Sequence, residues 1–363
     1  GETQVSRSVE AGVFEPVETE LAIDADDVVL ATGSRPLALP GNPFAGALID
    51  STQALELNTL PSSAVIIGAG AVALEFASLW NAAGCEVTLL IRKDRVLSTW
   101  ERRASMTLTR ELKRRGVNVI ARTAVDRVDT GANLGATVHY RQGDSDEGRT
   151  AYGEVVLAAI GRVPNTDADW FRSSGLKLDE RGYVTVDGYG RTNLDGVWAL
   201  GDITPGHALA HRAFEQGITI AEKIAGADPK PVLDDTVPQV VFSFPEAASV
   251  GLTLDQAKAR EDVVEPKETA YPMLSNARML MSGEGGSMTV VSGAFANNPD
   301  MQVVLGVHIV SPIASDLIAE AEQLVGNRVP LADAARLIHP HPTFSETLGE
   351  ALLKADGRPL HTR

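Results

Sequence analysis

Ala64-Val65-Ile66-Ile67-Gly68-Ala69-Gly70-Ala71-Val72-Ala73-Leu74-Glu75 decides how this chain is read. The short β-branched run is the pattern of a buried strand, and the glycines punctuate its end. From Leu74 to Ala83 apolar residues recur at helical spacing, and Gly84 stops the helix. Glu86-Val87-Thr88-Leu89-Leu90-Ile91 reads as a second strand. Strand, glycine turn, helix and strand within about thirty residues form a βαβ unit. Gly68 then permits the tight turn, Gly70 lets the backbone approach a pyrophosphate, and small Ala73 lets helix pack on strand. The phosphates sit at the helix start, where open N–H groups and the dipole favour negative charge. The alternative is a glycine-rich turn in a ligand-free α/β domain.

The end of the second strand bears on which dinucleotide is bound. An acid there suits the ribose 2′-hydroxyl of NAD, and arginine suits the 2′-phosphate of NADP. Ile91 stands at that position, followed by Arg92, Lys93 and Arg95, with nothing acidic before Asp94. The residues lean to NADP; a solvated basic loop is the bland alternative.

Outward from this unit, Val28-Val29-Leu30 runs into Ala31-Thr32-Gly33-Ser34-Arg35-Pro36, read as a buried strand ending in a loop. Val155 to Ile160 meets Gly161-Arg162-Val163-Pro164, and Val197 to Leu200 meets Gly201-Asp202, two further strand ends. Asp202 is placed either to accept a hydrogen bond from a sugar-like hydroxyl or to cap the helix expected over about 207–225. Residues 101–115 read as a basic amphipathic helix, and Gln142 to Arg149 as a polar hairpin turn. Later come short strands around 239–252 and 288–310 and helices near 315–325, 331–338 and 345–355.

His339-Pro340-His341-Pro342-Thr343-Phe344-Ser345-Glu346 is the second specific stretch. The prolines hold it extended, so both histidines are expected to point off a rigid loop. A Glu346 carboxylate on one imidazole nitrogen leaves the other free to move a proton. The same residues also fit a capping box at the next helix. No ligand set for a metal completes around the histidines.

Composition narrows the remaining classes. At about 150 residues per domain, 363 residues make two to three domains. Hydrophobic residues at 44% and charged residues at 22% are globular values, which excludes general disorder. Thirty-two basic against 48 acidic residues give −16, unfavourable for nucleic acid. There is no membrane-length apolar run and no leader pattern, so a cytoplasmic location is expected. The one cysteine, Cys85, excludes an intrachain disulfide or a cysteine zinc site.

Taken in order, these segments resemble the flavin-dependent pyridine nucleotide–disulfide oxidoreductases, and within them the dihydrolipoyl dehydrogenase branch. The resemblance rests on the Ala31 to Pro36 segment, the Gly68 to Glu75 turn, Ile160 to Asn165, and Thr192-Asn193 through Gly201-Asp202. It continues through Ala208 to His211, Pro245 to Thr253, Gly306 to Val310 and the closing His-Pro-Thr-Phe-Ser-Glu. It implies a Rossmann-like α/β nucleotide-binding domain, a remnant of an FAD domain and a C-terminal α+β dimerisation domain. The boundaries are 1–38 for the FAD-domain remnant, 39–160 for the NAD(P) domain, 161–233 for a central segment and 234–363 for the interface. It also implies that Asp202 holds the flavin ribityl chain, that Ala208, Leu209, Ala210 and His211 lie along the flavin, and that Thr32, Gly33 and Ser34 edge it. Gly68, Gly70, Ala71, Val72, Ala73 and Glu75 would bind the nicotinamide dinucleotide, Glu75 near the amide, with Gly161 lining the site and Ile91 and Arg92 at the ribose end. His341, oriented by Glu346, would accept the dithiol proton in the active site of the other subunit of a homodimer. The substrate would be a lipoyl domain or a small dithiol or disulfide.

The family's flavin-binding G-x-G-x-x-G and its C-x4-C redox pair have no counterpart in this sequence, so an N-terminally truncated chain is expected. Such a chain would be colourless and inactive with dihydrolipoamide. The basic loop after Ile91 looks like the NADPH-using glutathione reductase branch, although Ser98 does not supply that branch's second arginine. Ala71 replaces the usual tyrosine over the nicotinamide pocket. An NADPH-dependent disulfide or quinone reductase of the same fold, and a non-catalytic dinucleotide-binding or dimerisation module, are the competing expectations.

Overall fold

The computed structural model describes residues 24–131 and 135–362; the expectations for residues 1–23 lie outside the described residues. A five-stranded parallel sheet is built from β1 (Leu48–Ile49), β2 (Ser63–Ile67), β3 (Glu86–Ile91), β4 (Asn118–Ala121) and β5 (Val155–Ala158). Its order is β1-β5-β2-β3-β4. Helix α1 (Ala71–Ala82) joins β2 to β3, and α2 (Arg102–Arg114) joins β3 to β4. Its strands are nearly continuous in apolar residues because helices and an added three-stranded antiparallel sheet cover its two faces. Ile66, Leu74, Leu89 and Leu108 are fully buried on the helical side. Val65, Leu90 and Val156 pack on the other, against Val138 and Tyr140 of the added sheet. Gly84, with φ +94°, follows Ala83, the C-cap of α1, and ends the helix.

The C-terminal part is an antiparallel sheet of β6 (Gln239–Val241), β7 (Glu246–Gly251), β8 (Val263–Pro272), β9 (Ser287–Phe295) and β10 (Asn298–Ser311). Its order is β6-β7-β10-β9-β8. Helices α4 (Ala314–Gly326) and α5 (Glu346–Ala355) cover one face, burying Val250, Val290, Val307 and Ile309. Alternation along the strands turns Ser249, Thr289 and His308 to the opposite face. There, directly paired across the register, they meet Glu101 at the start of α2. Burial pushes the His308 imidazole below its ordinary pKa. It holds Ser249 Oγ at 2.7 Å and the Leu252 carbonyl at 3.2 Å.

Between these sheets, helix α3 spans Ala210–Ile224. Strand Val28–Leu30 pairs in parallel with Val197–Ala199, and Ser34–Pro36 pairs antiparallel with Arg162–Pro164. Four expectations are corrected here. Val28 and Val29 are exposed, because among the described residues their strand has one neighbour and a two-stranded ribbon covers little surface. Helix α3 starts at Ala210 rather than near 207. The helix near 331–338 shrinks to Leu331–Ala334, which runs out through a turn at 335–336. The long strand β8 was not anticipated: Glu265, Pro266, Lys267 and Glu268 hide its period, and the pairing register shifts between Val264 and Lys267.

Candidate active site

The two glycines of the turn answer to different neighbours. At Gly68 φ is +142°, and a Cβ there would stand 2.2 Å from the Ala159 carbonyl oxygen and 3.3 Å from the Ala73 Cβ. The turn, the end of β5 and α1 are thus pressed together, and Ala73 is fully buried. Gly70 is the N-cap of α1, with an ordinary φ of −90° and no side-chain cap. A Cβ added at Gly70 meets nothing within 4 Å. No neighbouring protein atom and no unusual φ requires glycine at 70. The open side faces a helix start whose first N–H groups lack intrahelical acceptors, a place that favours negative charge.

Gly68, Gly70, Ala71 and Val72 line a cleft of about 720 Å³ that runs over the ends of β3 and β5. Arg92 and Lys93 lie at its β3 end, and Gly161 and Arg162 beyond β5. Ile91 itself is fully buried. Glu75 is not brought into this lining. Its carboxylate accepts the Phe242 N–H at 3.0 Å, and Ser78 accepts that of Phe244 at 2.7 Å, so this face of α1 meets the β6–β7 connection.

A second cluster adjoins the first through Arg162, which sequence reading did not single out. Its Nε donates to Ser34 Oγ at 2.6 Å, and its Nη2 to the Ser34 carbonyl. Ser34 in turn donates to Asp202 Oδ2 at 2.5 Å. Asn165 fixes the loop by donating its N–H to the Gly33 carbonyl and its side-chain amide to that of Thr32. Gly33 sits at φ +71°. The helix-cap reading of Asp202 is overturned: α3 begins eight residues later, and Leu209 is its N-cap. Of Ala208 to His211, the His211 ring bonds the Pro238 carbonyl at 2.7 Å. The signal for Arg162 was its place directly after Gly161 at a strand end.

The histidine segment pairs His341 with Glu346 but forms no capping box: Ser345 is the N-cap of α5, without a side-chain cap, and the Thr343 hydroxyl donates to the Pro340 carbonyl. Glu346 accepts His341 Nδ1 at 2.8 Å on one oxygen and the Thr343 N–H at 2.7 Å on the other. Burial pushes the Glu346 carboxyl up, but the Thr343 N–H and His341 outweigh it and hold it below its ordinary value. The His341 side chain is 72% exposed, and its Nε2 has no hydrogen-bond partner among the described residues. His339, expected beside it on the loop, instead turns inward. It lies against Gly349, where a Cβ would be 2.5 Å from Nδ1, and bonds Glu320 at 2.9 Å. Cys85, at the turn between α1 and β3, is buried, and burial pushes its thiol up to about 11.

A family model described as pyridine nucleotide-disulphide oxidoreductase matches residues 2–217, and the dimerisation-domain model of the same family matches residues 237–352. The chain belongs to the pyridine nucleotide-disulphide oxidoreductase family. Among the relatives of this oxidoreductase is a dihydrolipoyl dehydrogenase of Cupriavidus necator, 36% identical over 342 residues, 93% of this chain and 70% of the relative. Another, from Geobacillus stearothermophilus, is 37% identical over 92% of this chain and 69% of its own length. The crystal structure of LpdA from Mycobacterium tuberculosis superposes with a TM-score of 0.81 at 30% identity, covering 91% of this oxidoreductase chain and 70% of that one. No helix among the described residues is long and apolar enough to cross a membrane.

Proposed function

We propose that this chain takes part in electron exchange between a nicotinamide dinucleotide and a dithiol substrate, of the kind carried out by dihydrolipoyl dehydrogenase, as a homodimer with FAD as the intermediate carrier. The open approach to Gly70 at the start of α1, a cradle for a pyrophosphate, carries this reading. FAD, when bound, accepts and passes on electron pairs. The flavin side fits in part: Asp202 Oδ1 has no partner among the described residues and can take a ribityl hydroxyl, while Ser34 and Arg162 hold the other oxygen side in place. The turn at Gly68 to Ala73 is the strand–glycine–helix unit among the described residues, and it serves the nicotinamide dinucleotide.

His341 does the proton work. Its Nδ1 bonds Glu346, so Nε2 is left as the acceptor for a thiol proton, and the carboxylate steadies the resulting imidazolium. The exposure of that ring, on the part of the chain matched by the dimerisation model, suits service in the partner's active site. The disulfide of the reaction is not among this chain's residues: Cys85, its one cysteine, is buried and a poor nucleophile. The 363 residues alone are therefore expected to bind dinucleotide without turning over dihydrolipoamide. Calorimetric titration of the chain with NADH and NADPH tests the reading, and binding of neither refutes it. An NADPH-dependent disulfide or quinone reductase of the same fold is the second reading, favoured by Arg92 and Lys93 in the cleft wall. Comparing dithiol and quinone turnover, once a redox disulfide is supplied, separates the two.

A further inference from the structure

A second cleft, of about 660 Å³, shares no lining residue with the first and opens between the central segment and the C-terminal sheet. That is the size of a small-molecule site. One wall is the stretch Val186 to Gly190 with Gln216 and Thr219 of α3; the other is built from β9, β10 and the end of α4. Leu252, Val304, Leu305 and Val325 give the cleft a buried apolar floor.

Three carboxylates and three guanidiniums line this cleft, so its charged groups sum to zero in a chain of net charge −16. Five of the six are committed. Asp187 accepts the N–H groups of Tyr189 and Arg191. Buried Arg212 holds Asp234 at 2.6 Å, and Arg260 holds Asp235 at 2.6 Å and Asp262 at 2.7 Å. Arg328 is the sixth. Among the described residues its side chain makes no hydrogen bond or ion pair, and its guanidinium lies 4.3 Å from the centre of the Phe295 ring, itself part of the wall. Stacking occupies one face of a guanidinium and leaves its N–H edge free for an acceptor.

We propose that this cleft binds a small amphipathic monocarboxylate, its carboxylate on Arg328 and its aryl or alkyl tail on Leu252, Val304, Leu305 and Val325. The inference goes beyond the electron-exchange reading and stands without it. A carboxylate matches the guanidinium edge with two parallel, charge-assisted hydrogen bonds. The tail gains by leaving water for the apolar floor. A second negative charge would lie among Asp187, Asp234 and Asp235 with no uncommitted cation to meet it, which selects a monoanion over a phosphate ester.

The test is a ligand-observed NMR titration of the 363-residue chain with 3-phenylpropionate and octanoate, against 3-phenylpropanamide and phenyl phosphate as comparators. At least one of the two acids is expected to bind with a Kd of about 1 mM or tighter, and both comparators at least about tenfold more weakly than that acid. In Arg328→Asn the acid should lose at least about tenfold in affinity. Asparagine is chosen because the backbone at 328 has φ +50°, which it tolerates, so the variant should keep the Tm of the unmodified chain. Binding of neither acid overturns the site, as does an acid bound equally well by Arg328→Asn. Phenyl phosphate bound as tightly as the acids overturns the choice of a monoanion and with it the proposal.

Discussion

Replacing the two glycines of the turn one at a time separates protein packing from ligand approach. Gly70→Ala adds a methyl group into open space at an ordinary φ. Alanine is a poorer N-cap than glycine by up to about 1 kcal/mol. The loss of unfolded-chain freedom returns about 0.4–1 kcal/mol. The net stability change is near zero, and at about 2–4 °C per kcal/mol Tm should move by less than about 2 °C. The methyl group stands where a pyrophosphate must approach, so dinucleotide affinity should fall more than tenfold, about 1.4 kcal/mol. Gly68→Ala is the reverse case. A positive φ costs about 1–3 kcal/mol for an alanine, and its Cβ would meet the Ala159 carbonyl at 2.2 Å. A loss of about 3 kcal/mol or more, roughly 6–12 °C in Tm, is expected. Scanning calorimetry reads the stability and isothermal titration reads the affinity. A Gly70→Ala protein that binds dinucleotide like the unmodified chain would refute the cradle. An unchanged Tm in Gly68→Ala would refute the close approach of turn and strand.

Three further outcomes follow from burial and pairing. Cys85, with its thiol pushed up to about 11, should resist a disulfide-exchange reagent near neutral pH and react as one thiol per chain only in denaturant; rapid labelling of the folded chain would contradict this. The Glu320 hydrogen bond raises the His339 pKa against the opposing effect of burial. A raised folded value means stability that is fully present below the ordinary 6.5 and is lost as pH rises through the raised value. The Tm gap between the unmodified chain and His339→Gln should accordingly be wider near pH 6 than at about pH 9. Leu74→Ala empties a fully buried position between α1 and the parallel sheet and should cost about 2–5 kcal/mol in denaturant unfolding.

The βαβ unit, the later strand ends and four long helices were legible because each segment declares its own period and stop residue. What escaped depended on neighbours distant in sequence. Strand β8 hides its alternation behind Glu265 to Glu268 and a register shift. The tie from the Arg122 N–H to the Lys93 carbonyl shows only once the parallel register sets β3 beside β4. His339 was expected outside with His341, but the bare backbone at Gly349 makes room for its ring. Asp202 and Glu346 each offered two meanings. The later start of α3 removed the cap from the first, whose carboxylate takes the Ser34 hydroxyl, and the second has both a backbone and a histidine partner.

The seam of Glu101, Ser249, Thr289 and His308 bears on how the chain could be recombined. Glu101 caps α2 through the N–H groups of Arg103 and Ala104 while its other neighbours belong to the antiparallel sheet. The four groups come from two distant stretches of the chain and are all buried. A hybrid that joined this parallel-sheet half to a relative's C-terminal half would have to transplant all four together, or leave a buried acid and imidazole without their partners at the splice.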